Sequence, residues 1–353
     1  MIKKAFFIII VFTLFGGCSN SLSLLAPYKE IVSVCGLLNQ DEPIQYIRIE
    51  RVFAGAENAY TMAQNQDSVY FKSGDLKVTL QRWINGTQVS VDNPSSSAME
   101  IVLTDTLLQA ATGIFNTNER VYKTNHKLYD DSQYTLIIHN NKSGKEFTAQ
   151  TGLIQQFQLI QLVGGQNILG PNFSQSNNIN IVPGYGASVI CYYNSPVNAG
   201  VCGLVMRFFY TDQNGGIKQS VDIGLGTNYT QQILGGEKQN FPFTATTTLV
   251  NLANLIPVNN NTTRTADSVE FILNAAGQAL ALYNQVNTST SLSQNKANYT
   301  NINGGVGVFS CRRELKLLRQ ISKNQPCIDT ISGSSITCKL RFLKYSGGLS
   351  ICH

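Results

Sequence analysis

Charge is what this sequence has least of. Aspartate, glutamate, lysine and arginine make up 13% of its 353 residues, about half the usual share of roughly 25%. The formal net charge of +5 is also unevenly placed. Lys3 and Lys4 supply two of the positive charges, and Cys311–His353 holds eight basic against two acidic residues, so Ser19–Ser310 carries −3. Basic charge confined to one tail is not the footprint of a nucleic-acid-binding protein. Histidine is as scarce: His126, His139 and His353 stand at no metal-ligand spacing. No Cys-x-x-Cys pair occurs either, so zinc has no recognisable ligand set. The Gly-x-Ser-x-Gly elbow, the His-Glu-x-x-His helix and the Walker loop are all missing. The one tryptophan, Trp83, ends an alternating run and reads as core or edge packing. No catalytic residue, metal ligand or cofactor is assigned. The one enzymatic arrangement that spacing leaves open is a carboxylate pair assembled by the fold. Asp130-Asp131 reads as a turn former instead of a calcium site.

Turn formers and aromatics fill the place of charge. There are 34 asparagines, 29 glycines and 15 tyrosines, and 43% of the residues are apolar. That balance suits an all-β exported protein with ample core. Residues 27–151 read as a first domain. Ile31–Leu38 is an apolar strand, and Ile47 and Ile49 alternate with Arg48 and Glu50. Leu76, Val78 and Leu80 alternate with Lys77, Thr79 and Gln81, and Asn85-Gly86 then supplies the positive φ that a tight hairpin needs. Tyr134, Leu136 and Ile138 begin another strand, returned by Phe147 and Ala149. Short alternating strands over this span predict an immunoglobulin-like β-sandwich. Residues 152–309 read as a second, β-rich domain with a hairpin at Asp212–Gly216. It has two short helices: one with Ala245, Leu249, Leu252 and Ile256 on one face and Pro257 as its stop, the other over Ala275–Val286.

The N-terminus has a lysine pair, an apolar run from Ala5 to Phe15 broken only by Thr13, and Gly16-Gly17-Cys18. The run is too short to span a bilayer, which takes roughly 20 apolar residues. It resembles a bacterial lipoprotein signal peptide over residues 1–17, with Cys18 lipidated and residues 18–26 a tether. The first acidic residue after Cys18 is Glu30, which leaves both faces of an outer membrane open as the site of the body.

Near the C-terminus, Thr300-Asn301-Ile302 is followed by Gly304, Gly305, Gly307, Val308 and Phe309. The glycines read as backbone geometry, a turn or a close strand approach. No Lys-Ser/Thr follows them, so they are not a phosphate loop. Together with the N-terminal signal, this run resembles a family of Bacteroidota outer-membrane lipoproteins classed as a domain of unknown function. The resemblance covers Cys18 to about Phe309. It implies an anchored, non-enzymatic accessory or binding protein of the outer membrane, with a TonB-dependent receptor as partner. A surface adhesin or carbohydrate-binding lipoprotein is the alternative, and it requires exposed aromatics on a concave face. Oligomeric state has no sequence signature.

Seven cysteines follow Cys18: Cys35, Cys191, Cys202, Cys311, Cys327, Cys338 and Cys352. An oxidising compartment permits disulfides. Cys191 and Cys202 flank a turn-rich stretch and could pair across a hairpin end. The last four suggest a small stapled module over residues 310–353, with three possible connectivities. The odd thiol falls to Cys35, expected to be buried on its apolar strand. The basic stretch from Cys311 reads as a solvated face on a short helix or strand, with Leu315, Leu318 and Ile321 inward. Its alternative is a patch for phosphates or an acidic partner.

Overall fold

A computed structural model describes residues 30–52, 69–92, 97–109, 118–164, 167–168, 178–184, 188–288, 299–321 and 325–352. It is mainly β, with several sheets and three α-helices among the described residues. The expected signal peptide over residues 1–17, Cys18 and the expected tether over residues 18–26 lie outside them.

The first half forms nine strands: β1 (Ile31–Leu38), β2 (Gln45–Val52), β3 (Leu76–Ile84), β4 (Thr87–Val89), β5 (Glu100–Val102), β6 (Thr104–Gln109), β7 (Asn118–Thr124), β8 (Gln133–Asn140) and β9 (Glu146–Gly152). They divide between two sheets. One runs β1-β2-β7-β6 and the other β4-β3-β8-β9, with β5 beside β3. The period-2 pattern decides which faces meet. Val32, Val34, Ile47 and Ile49 of the first sheet share a core with Val78, Leu80, Leu136, Ile138 and Phe147 of the second. Asn85 and Gly86, at φ 48° and 77°, make the β3–β4 turn. At the start of β8 the Tyr134 hydroxyl accepts a hydrogen bond from the backbone N–H of Tyr129 at 3.0 Å.

The second half adds β10 (Gln158–Gly164), β11 (Asn167–Ile168), β12 (Asn178–Ile179), β13 (Ser188–Asn194), β14 (Ala199–Asp212), β15 (Ile217–Tyr229), β16 (Lys238–Thr244), α1 (Ala245–Leu255), β17 (Arg264–Gly277), α2 (Gln278–Thr288), β18 (Val306–Ile321) and α3 (Gln325–Gly333). A four-stranded sheet runs β11-β10-β13-β16. The alternate residues Cys202, Leu204, Met206, Phe208 and Tyr210 of β14 are buried. They share the core with Tyr193 and Phe241, whose rings stack at 5.2 Å. Thr244 caps α1 by accepting from the Thr247 N–H. Leu249 and Leu252 face the core, as their spacing predicts.

β18 joins the halves. Its C-terminal half pairs antiparallel with β17, while Val306–Cys311 pairs in parallel with Ser33–Leu38 of β1. The sheet therefore runs β15-β14-β17-β18-β1-β2-β7-β6, with β12 also on β18. The sequence boundary at 151/152 falls at the end of β9, but that at 309/310 falls inside β18. A strand needs partners, and β18 finds one on each side of that boundary.

Three other expectations change. Ala275–Gly277 belongs to β17, not to the second helix, because Ala275 and Ala276 pair with both Cys202 and Val201 on one side and Arg313 and Arg312 on the other. Ladder pairing on both edges outweighs the helical propensity of two alanines. A third helix, α3, forms in the tail. In β18 the period is 2, so Ile321 is buried while Leu318 is 53% exposed, and Arg313 and Arg319 turn inward instead.

Candidate functional site at the β18 seam

The glycine run is a joint between strands. The Asn301 amide donates to the Phe309 carbonyl at 2.7 Å and accepts from the Phe309 N–H at 2.9 Å, as a neighbouring strand would. The Asn303 N–H reaches the Thr148 carbonyl at 2.7 Å, which ties the run to β9 and hence to the other sheet. Gly307 sits at φ +106°, and a Cβ there would lie 2.1 Å from the Val34 carbonyl oxygen. At Gly305 it would lie 2.8 Å from the Val32 carbonyl. Only glycine allows β1 this close. Asn301, Gly304, Gly305, Gly307 and Phe309 thus shape backbone and present no ligand-directed group.

Arg313 locks the same seam. Its side chain is 8% exposed and binds both Asp41 oxygens at 2.9 Å, Asp130 at 2.8 Å and the Ile154 carbonyl at 3.1 Å. One guanidinium thereby gathers the β1–β2 turn, the β7–β8 turn and the segment after β9. Asp130 is thus more than a turn former, and Asp131 pairs with Arg82. Arg264 plays a similar part farther along, bound to Asp212 and the carbonyls of Leu340 and Pro257. The planar fork of arginine suits such multiple acceptors.

Beside the seam, the outward face of the large sheet sinks into a trough of about 640 Å³. Gly203, Gly224, Gly226 and Ala276 leave its floor low, at the bulge where Leu204 faces Gly226 and Val205 faces Gly224. Val201 and Val205 supply apolar wall, and Asn274, Arg312 and Glu314 the polar rim. Arg312 is held by Glu42 at 2.7 Å. Glu314 is the one carboxylate among the described lining residues, and none of these is aromatic. A carboxylate pair and a sugar-stacking platform are both missing from this trough.

The thiols differ from expectation. Cys191 and Cys202 are free and buried. Their strands do not form a hairpin: β13 pairs with β10 and β16, whereas β14 pairs with β15 and β17. The turn between them carries the chain from one sheet to the other. Burial pushes both thiols up to about 12, and Cys311 and Cys327 up to about 11. Cys35 is free but exposed, because Val32, Val34 and Gly36 take the inward positions of β1. In the tail, Cys338 is bonded to Cys352. His139 lies in β8 opposite Lys77 and Glu146. His126 meets Asp92 at 3.0 Å, and His353 lies outside the described residues. No group of three or more metal-binding side chains occurs among the described residues.

Sequence reasoning missed Arg313, Arg264 and the role of Tyr134. The period-2 alternation of Cys311, Arg313 and Leu315 was the available signal for the first. No protein-family model matches the chain, and no curated protein matches it.

Proposed function

We propose that this chain is a lipid-anchored, non-enzymatic binding or accessory protein of the outer membrane, held through Cys18 and working with a TonB-dependent transporter in nutrient uptake or envelope assembly. The anchor rests on the Met1–Cys18 pattern, and the transporter rests on the family resemblance alone. The non-enzymatic reading rests on the sequence, which holds none of the nucleophile-elbow, zinc-helix or phosphate-loop motifs, and the directions of the carboxylate, thiol and phenol pKa shifts among the described residues accord with it. Every shifted carboxylate (Asp75, Asp131, Asp222) is lowered, by hydrogen bonds to Lys142, Ser132 and Arg207 respectively. Every shifted thiol and phenol is raised by burial, including Cys191, Cys202 and Tyr134. General acid–base groups are tuned toward neutrality, and these move away from it.

The immunoglobulin-like reading of residues 27–151 is supported by strand order. The orders β1-β2-β7-β6 and β4-β3-β8-β9 correspond to A-B-E-D facing C′-C-F-G. Tyr134, bonded back to Tyr129, has the form of a tyrosine corner. Such domains act through surfaces, which fits a binding role.

Fatty-acid labelling tests the anchor: the native chain should label and Cys18→Ala should not. Labelling of Cys18→Ala would overturn it. Recovery of the anchored protein from solubilised membranes without a transporter would sink the partner assignment.

A further inference from the structure

Sheet edges invite pairing, and natural edges are blunted by shortness, proline, charge or cover. Most described edges here follow that rule. β4, β5, β11 and β12 have three residues or fewer. β16 carries Pro242, β9 is met by Asn303, and β6 has six residues. β15 is the longest of these edges, with 13 residues and no proline; it carries the exposed charges Lys218 and Asp222 and a bulge only beyond Gly224. It pairs only with β14, and that pairing is regular from Asp212↔Ile217 to Val205↔Gly224. Among the described residues, no hydrogen bond from outside β14 reaches the backbone of Ile217–Ile223. Ile217 is 58% exposed at one end, and the neighbouring α1 leaves Val250 and Leu255 exposed.

We infer that the β15 edge is a self-association surface, on which a second copy of this chain adds its own β15 antiparallel about a two-fold axis at Ser220. The argument is complementarity. In an isologous pair each contact occurs twice. With the axis at Ser220, Lys218 lies opposite Asp222 of the second copy, and the reverse. Ile217 lies opposite Ile223, and Gln219 opposite Val221. Antiparallel registers that keep like faces together shift in steps of two residues. Of these, only the register centred on Ser220 sets Lys218 opposite Asp222. Lys218 makes no ion pair among the described residues, and Asp222, clamped by Arg207 at 2.7 and 2.9 Å, keeps further lone pairs free. The result is one continuous sheet through both copies, with exposed main-chain groups satisfied across the dyad.

Three measurements on the purified full chain test this. Light scattering should give twice the chain mass. Lys218→Glu, an exposed position, should weaken association about tenfold or more by setting like charges opposite each other twice. Ser220→Cys should form a disulfide-linked dimer under mild oxidation, since directly opposed Cα atoms lie about 4.5–5.5 Å apart. The unsubstituted chain, with its exposed Cys35, sets the background. A monomeric mass overturns the proposal, including the case in which a strand of another protein completes the edge. So does cross-linking of Ser220→Cys no faster than that background.

Discussion

Asn301→Ala removes the side chain that stands in for a strand beside Phe309. Two hydrogen bonds of 2.7 and 2.9 Å are lost. Each contributes about 1 kcal/mol net, and an unpaired buried backbone group costs about 1–3 kcal/mol. Phe309 is fully buried but Asn301 only partly so, and water can enter the vacated space. The expected loss is therefore in the lower part of the range, about 2–3 kcal/mol. Asn301→Asp separates the two bonds. Its carboxylate still accepts from the Phe309 N–H, but it faces the Phe309 carbonyl with a second acceptor. Only the protonated acid donates there, so the folded state raises this carboxyl above its unfolded value of about 3.9. A raised folded pKa stabilises fully below the unfolded pKa, and that stabilisation is lost as pH rises through the folded value. Asn301→Asp should thus approach the native chain near pH 3.5 and fall toward Asn301→Ala at pH 7. Urea unfolding followed by Trp83 fluorescence measures both. A loss below about 0.5 kcal/mol for Asn301→Ala, or an equal Asn301→Asp deficit at both pH values, would refute the reasoning.

Other expectations follow from the same geometry. Arg313→Met should destabilise by about 2–3 kcal/mol, less than for a wholly buried pair because Asp41 and Asp130 remain 45% and 39% exposed; an unchanged urea midpoint would contradict the clamp. Burial pushes the Tyr134 hydroxyl up to about 12, against about 10 unfolded. Its contribution is whole below pH 10 and lost as pH rises to 12, so alkaline unfolding should be shallower in Tyr134→Phe. In the native chain at pH 8, iodoacetamide should label Cys35 and spare Cys191, Cys202, Cys311 and Cys327, as read by peptide mass spectrometry; rapid native labelling of Cys191 or Cys202 would contradict their burial.

Much of the β framework was legible residue by residue. Asn85-Gly86 and Asp212–Gly216 make the hairpins their chemistry demands. The alternations at Leu76–Leu80 and Tyr134–Ile138 mark inward faces correctly, and Pro257 follows the end of α1. The seam was not legible. Gly305 and Gly307 announced a close approach but not that Val32 and Val34 were what approached. The Cys191–Cys202 pairing failed because a turn between sheets and a turn within a hairpin look alike in composition.

What the sequence by itself determined is local: the strand periods, the turn sites, the β-rich class and the resemblance at Met1–Cys18. These depend on φ, ψ and side-chain direction within a few residues, which the residue types constrain directly. What the tertiary structure alone decided is partnership. β18 pairs in parallel with a strand more than 260 residues earlier in the chain, and that placement turns Arg313 inward onto Asp41 and Asp130 and leaves the edge of β15 open. Backbone hydrogen-bonding groups are the same in every strand, so the choice of partner comes from how whole faces bury together.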